Sequence, residues 1–299
     1  MSAPVATRFA PSPTGLLHLG HAYSALRAYD LAQEAGGRFL LRFEDIDTGR
    51  VREHYYRQIE DDLRWLGIEW REPPMLQSAR FDAYRAALDR LKAMDLVYPC
   101  FCTRKDVAAE IAASVSAPHP RSRPTVNGPD GPLYPGTCRA LDEDERRRRV
   151  AAEPHAWRID MARAAAMTGP LSWIDSEAGS VAATPEIHGD VVLARKDVPT
   201  SYHLAVTVDD AAQGVTDVVR GADLFAATHV HRLLQHLLDL PVPHYHHHRL
   251  ITDAAGKRLA KRDDARSLAA LRQAGTNAEG IRAALRAGAP DIAGLEALD

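Results

Sequence analysis

An apolar run, a helix-spaced segment and a second apolar run follow one another within residues 5 to 47. Few arrangements suit that order other than a right-handed parallel strand–helix–strand crossover. VATRFAPSP reads as a short buried strand that ends at Pro11 and Pro13. HAYSALRAYDLAQEAG carries apolar positions at helical spacing and stops at Gly36-Gly37, a pair that terminates helices. RFLLRFEDID is apolar, then acidic, and is expected to be the second strand. The class this implies is α/β.

The remaining pattern extends the same idea. REHYYRQIEDDLRWLG and RFDAYRAALDRLKAMD are helix-spaced, and residues 116–136 are rich in Pro, Gly and Ser and read as loop. Strands are expected at AWRID, LSWID and DVVLAR. SYHLAVTVDDAAQGVTDVVRG then leads into the helix THVHRLLQHLLDL, as in the other half of a nucleotide-binding fold separated from the first by an insertion. A chain of 299 residues is long enough for one large domain or two modest ones with a real core.

A net charge of -3 argues against a general polyanion binder, although RKD, ERRRR and GKRLAKR allow local basic faces. No run approaches the roughly 18 apolar residues of a membrane helix. The N-terminus lacks a basic region followed by an apolar one, so no secretory signal is visible. Three cysteines build no disulfide scaffold. A cytoplasmic protein with no membrane partner is expected.

The chemistry begins at His18-Leu19-Gly20-His21, at the mouth of the first helix. A helix N-terminus favours phosphate through its unpaired N–H groups and dipole. The chain has no GxxxxGK[ST], so phosphates would be managed by something other than a P-loop. Two imidazoles, one just before and one just inside the helix, suit that task, and Gly20 would let a purine approach the backbone. An ordinary helix start with incidental histidines fits these residues equally well. Four histidines in HYHHHR invite a metal reading, but a strand sends alternate side chains to opposite faces.

RFAPSPTGLLHLGHA resembles the HIGH signature of class I aminoacyl-tRNA synthetases, in the form used by the glutamyl and glutaminyl branch. RFEDID resembles the RxEDTD segment, SYHLAVTVDDAAQGVTDVVRGADL the YHLAxVVDD…VxRGxDL block, and GKRLAKR the KMSKS loop. HYHHHR resembles the PxYxHxP stretch before that loop, keeping Pro243, Tyr245 and His247, with Arg249 at the usual proline. Arg258 stands at the first lysine of the KMSKS pattern and Ala260 at its serine, while Lys261 keeps the second lysine. The resemblance implies a Rossmann-like class I catalytic domain with a zinc-binding insertion and a short helical C-terminal tail. Residues 1–98 would be the first half of the nucleotide-binding fold and 99–190 the insertion. Residues 191–262 would be the second half with the KMSKS-like loop, and 263–299 the tail.

It also implies site residues. His18, His21 and Lys261 would be catalytic, and with Gly20 would bind ATP, brought in with magnesium. Arg8, Phe9, Ala10, Pro11, Ser12, Glu44, Tyr202 and Arg220 would bind L-glutamate. A ligand with two carboxylates and one ammonium suits two arginines and one acid. Taken without the motifs, Arg8 and Glu44 at adjacent strand ends could simply pair. Cys100, Cys102, Tyr134 and Cys138 resemble the CxC…YxxxC structural zinc site of one subgroup, with His119 competing for the fourth place.

Only 37 residues follow Arg262, where ordinary members carry an anticodon-binding region. That, with the cysteine spacing, resembles the glutamyl-queuosine tRNA(Asp) synthetase family, over about residues 6 to 290. Its members activate glutamate with ATP and transfer it to queuosine at the wobble position of tRNA(Asp). The expected partners are the tRNA(Asp) anticodon stem-loop, L-glutamate and ATP, with the protein a monomer. A short glutamyl-tRNA synthetase charging a 3′ end, or a non-catalytic glutamate- or nucleotide-binding paralogue, are the competing readings.

Overall fold

The computed structural model describes residues 4–116, 127–251 and 267–287. The opening crossover forms as expected. Strand β1 (Ala6–Phe9) is followed by helix α1 (Leu19–Glu34) and strand β2 (Arg38–Phe43), which lies parallel to β1. Leu19, Ala22, Ala25, Leu26 and Ala32 give α1 its buried stripe at helical spacing. The helix ends because Gly36 takes a φ of 62°, and the Gly37 N–H then bonds back to the Ala32 carbonyl at 2.8 Å.

Helix α2 (Glu53–Trp65) buries Ile59 and Leu63 in the same core. Strand β3 (Met75–Leu76) pairs with β2 in parallel, and helix α3 (Phe81–Ala93) follows. Next come β4 (Val97–Cys100), α4 (Arg104–Ser116), the hairpin β5 (Asn127–Gly128) and β6 (Gly131–Pro132), and α5 (Glu143–Ala152). They lead to β7 (Ala156–Ile159), α6 (Met161–Thr168), the hairpin β8 (Ser172–Asp175) and β9 (Gly179–Ala182), and β10 (Val192–Ala194).

AWRID, LSWID and DVVLAR all form strands, but not in one sheet. β4, β7 and β10 build a separate antiparallel sheet, whereas β8 joins the strands that follow it. Those are β11 (Asp217–Gly221) and β12 (His244–His248), which pair in parallel after helix α7 (Tyr202–Ala212) and flank helix α8 (Ala227–Leu237).

β11 runs beside β1, tied to it where the Thr216 N–H meets the Ala6 carbonyl at 2.9 Å and the Ala6 N–H meets the Thr216 hydroxyl at 2.8 Å. The two half-sheets therefore meet at β1 and β11. Ligands in open α/β sheets bind at such a junction, beyond the carboxyl ends of the strands. Helices α9 (Leu268–Gln273) and α10 (Ala278–Arg286) pack back on the first half through Leu268, Ile281 and Leu285. Ser267 pairs with His18, and the Leu268 N–H donates to the Leu17 carbonyl at 2.9 Å. Among the described residues, no helix is long and apolar enough to cross a membrane.

Candidate active site

A cavity of about 550 Å³ opens where β1 and β11 end. That volume suits a small-molecule site. Arg8, Phe9 and Ala10 reach it from β1, Glu44 from the end of β2, Tyr202 from the start of α7 and Arg220 from β11. His18, Gly20 and His21 line it from the mouth of α1. Residues separated by up to 212 positions thus share one wall. Pro11 and Ser12 do not line it. Pro11 instead accepts the Glu44 N–H at 3.0 Å, which fixes the backbone that presents the acid. Lys261, Arg258 and Ala260 lie outside the described residues.

The two histidines cap the helix as well as facing the cavity. His18 Nδ1 accepts the Gly20 N–H at 3.1 Å, and His21 Nδ1 accepts the His18 N–H at 3.2 Å. Both rings therefore use Nδ1 as acceptor, which in the neutral form puts the proton on Nε2. Two N–H donors result, on rings with centroids 3.8 Å apart. Gly20 also serves the packing of the histidines. A Cβ there would stand 3.0 Å from the His18 ring, so the glycine leaves room for the imidazole to fold over the helix end.

Arg8 and Glu44 do not pair. Arg8 Nε donates to Asp210 Oδ1 at 2.9 Å, and the fully buried Arg42 reaches the same oxygen at 2.8 Å. Arg42 also lies 3.8 Å from Glu44. Burial opposes a charge on Asp210, but the two guanidiniums outweigh it and hold its carboxyl below the usual range. For Glu44 the balance is reversed. Burial pushes its carboxyl up, and Arg42 and Arg8 only partly offset this. The lining itself carries two guanidiniums, Arg8 and Arg220, and two carboxyl groups, Glu44 and Asp223. Such a mixed lining can meet carboxylates and an ammonium on one ligand.

Sequence reasoning missed Ser24 and His248, which also line the cavity and lie 2.8 Å apart through Oγ and Nε2. The three successive histidines of β12 go to three different partners. His246 meets Asp217 at 2.9 Å, His247 meets Asp175 at 2.7 Å, and His248 meets Ser24.

A second constellation lies at the end of β4. The sulfurs of Cys100, Cys102 and Cys138 fall within 4.8 Å of one another. Cys102 Sγ is 3.5 Å from Cys138 Sγ, and the Tyr134 hydroxyl is 3.5 Å from both Cys100 and Cys102. A tetrahedral zinc with ordinary bond lengths needs S···S edges of about 3.8 Å and S···O edges of about 3.5 Å, so the donor set fits zinc. Arg158 Nε approaches Cys100 Sγ at 3.3 Å, and its guanidinium stacks 4.0 Å over the Tyr134 ring. A thiolate would be favoured by that charge. Burial pushes the Cys102 thiol up to about 11, a tendency that a coordinated cation reverses. His119 lies outside the described residues.

The model of the class I tRNA synthetase (E and Q) catalytic domain matches residues 4–296. A glutamyl-Q tRNA(Asp) synthetase of Rhodobacter capsulatus is 52% identical over 280 residues, covering 92% of this chain and 98% of the relative. One from Deinococcus radiodurans is 44% identical over 277 residues, covering 91% and 84%. Among solved structures, a glutamate tRNA ligase from Elizabethkingia meningosepticum, in complex with its amino acid, superimposes with a TM-score of 0.73 at 29% identity. That match covers 87% of this chain but 52% of the ligase, so the chain spans about half of that enzyme's length. Matched across nearly its whole length by relatives of that name, the chain belongs to the glutamyl-Q tRNA(Asp) synthetase family of class I tRNA synthetases.

Proposed function

We propose that the chain activates L-glutamate with ATP and transfers it to queuosine at the wobble position of tRNA(Asp). The observation that carries this reading is a cavity that brings Arg8, Arg220 and Glu44 together with His18 and His21, set beside a relative 52% identical across 98% of its length. In the first step the glutamate α-carboxylate attacks the α-phosphorus of ATP, and pyrophosphate leaves. In the second a hydroxyl of the queuosine diol attacks the activated carbonyl, and AMP leaves with the bonding pair. A cis-diol resembles the ribose diol of a tRNA 3′ end, so one site can serve either acceptor.

Positioning and charge stabilisation do most of this work. Glu44 takes the substrate ammonium, and Arg220 and Arg8 face its carboxylates. Phe9, Ala10 and Tyr202 shape the remaining wall. His18 and His21 donate through Nε2 to phosphate oxygens at the N-terminus of α1, and Lys261 stabilises the departing pyrophosphate. Magnesium accompanies ATP as part of the substrate. The zinc that Cys100, Cys102, Tyr134 and Cys138 would hold is structural, because four protein ligands leave no open position. The insertion, residues 99–190, with its zinc knuckle and arginines, faces the anticodon stem-loop through phosphates and unstacked bases. The protein acts as a monomer in the cytoplasm.

Labelled glutamate, ATP and tRNA(Asp) test the whole reading. Label should appear on an isolated anticodon stem-loop that bears queuosine, and not on the same stem-loop without it. Label on a tRNA 3′ end instead would overturn the assignment of acceptor. Lys261→Ala should slow glutamate-dependent ATP–pyrophosphate exchange at least about tenfold, or roughly 1.4 kcal/mol in the barrier.

A further inference from the structure

Arg220 differs from the other arginines of the cavity in the company it keeps. Arg8 and Arg42 share the carboxylate of Asp210. Arg220 is 5% exposed, and among the described residues no carboxylate lies within ion-pair distance of it. Its Nε donates to His247 Nε2 at 3.1 Å, and its Nη2 to the Thr228 hydroxyl at 2.6 Å. Its Nη1 donates to His231 Nδ1 at 3.2 Å and to the Tyr202 hydroxyl at 3.4 Å. A buried cation held wholly by neutral acceptors keeps its charge for a ligand.

An arginine is only ever a donor, so it dictates which nitrogen of each imidazole accepts. His247 must carry its proton on Nδ1, where it donates to Asp175 Oδ2 at 2.7 Å. Asp175 is itself fixed, its other oxygen accepting the N–H groups of Glu177 and Ala178. His231 must carry its proton on Nε2, where it donates to His203 Nδ1 at 3.2 Å. Strand pairing supports the first arm, because Arg220 and His247 stand directly opposite one another on β11 and β12. Burial depresses all three imidazoles, His203 and His247 to about 4, so they stay neutral acceptors under ordinary conditions.

We propose that His231 and His247 are positioning and specificity residues. As neutral acceptors they aim the Arg220 guanidinium into the cavity and leave its charge uncompensated, so that the site selects a substrate with an acidic side chain over its amide. The proposal rests on the reading of the cavity as a glutamate site.

The test measures ATP–pyrophosphate exchange with glutamate and with glutamine, on the full chain. His231→Leu removes the acceptor and should raise KM for glutamate at least about tenfold while kcat stays within about threefold. His231→Gln offers a neutral carbonyl acceptor and should restore KM to near the wild-type value. His231→Glu adds the missing countercharge and should lower the glutamate-to-glutamine preference at least about tenfold. Asp175→Ala releases the tautomer of His247 and should raise KM for glutamate in the same direction as His231→Leu. Unchanged KM in His231→Leu, or equal loss in His231→Gln and His231→Leu, would overturn the role of His231. Unchanged preference in a folded His231→Glu would overturn the charge argument. A wild-type enzyme that activates glutamine as well as glutamate would instead remove the glutamate reading itself.

Discussion

Glu44 shows how a single side chain sets the conditions under which the site works. Its carboxyl is raised by burial, yet the proposed ammonium ligand needs it ionised. Binding must therefore pull the proton off. Above the raised value the group is already a carboxylate, and affinity is independent of pH. Below it, each unit of acidity leaves about tenfold fewer sites competent. KM for glutamate should accordingly be flat at alkaline pH and climb as pH falls through that value. Glu44→Gln should raise KM at pH 8 at least about tenfold and abolish the climb. Exchange kinetics over a falling pH series measure both, and a Glu44→Gln variant that keeps the wild-type KM would contradict the role. His18, His21 and Glu44 were legible in the sequence because each belongs to a short contiguous motif. Asp210 lies within such a motif, but its hold on Arg8, 202 positions away, was not legible. Nothing local marked His231, whose meaning comes from Arg220 across β11 and α8.

Among the elements, the crossover of β1, α1 and β2 follows directly from hydrophobic period and the terminal glycines, and the sequence predicts it well. The sheet membership of β8 does not follow. LSWID has the same apolar character as AWRID, and only the pairing of Tyr245 with Asp175 places it beside β12 rather than β7. The loop after β4 and the turn carrying Cys138 share a small cluster of Tyr98, Phe101 and Ala156 with Tyr134, Leu141 and Val192, and metal should add to their order. Purified protein should contain about one zinc per chain. Cys138→Ser should lose it and increase proteolysis around residues 98–140, with the far-ultraviolet circular dichroism of the remaining fold retained. Full zinc content in that variant would rule Cys138 out. Tyr134→Phe that keeps tight zinc would pass the fourth place to His119 or to water.

The molecule as a whole joins two half-sheets side by side at β1 and β11, with the cavity beyond their ends. Arg8 and Glu44 come from one half and Tyr202 and Arg220 from the other, with Asp210 reaching across to Arg8 and Arg42. A ligand that touches both halves should stabilise their union. A non-hydrolysable glutamyl-adenylate analogue at about 100 times its Kd should add about 2.7 kcal/mol to stability, or several degrees in melting temperature. The glutaminyl analogue at the same concentration should add far less. Differential scanning fluorimetry reads the comparison directly, and equal shifts would argue against an acid-selective cavity.

Arg42 carries a consequence for anyone engineering this enzyme. It is fully buried, its Nε and one Nη nitrogen lack hydrogen-bond partners among the described residues, and it leans on Asp210 and Glu44 for company. Such a buried ionic cluster is where apolar replacements of similar volume often increase stability. A screen that ranks variants by heat resistance would drift toward greasy side chains at this junction. The same drift would dismantle the charge pattern proposed to recognise the amino acid, because Asp210 would lose one of the two cations that keep it ionised. Selection for robustness and selection for turnover therefore pull on position 42 in opposite directions. A library meant to harden the protein is better aimed at the helical periphery of α2, α5 and α10, where exposed charges pair only with their neighbours along the helix or across a shallow surface contact.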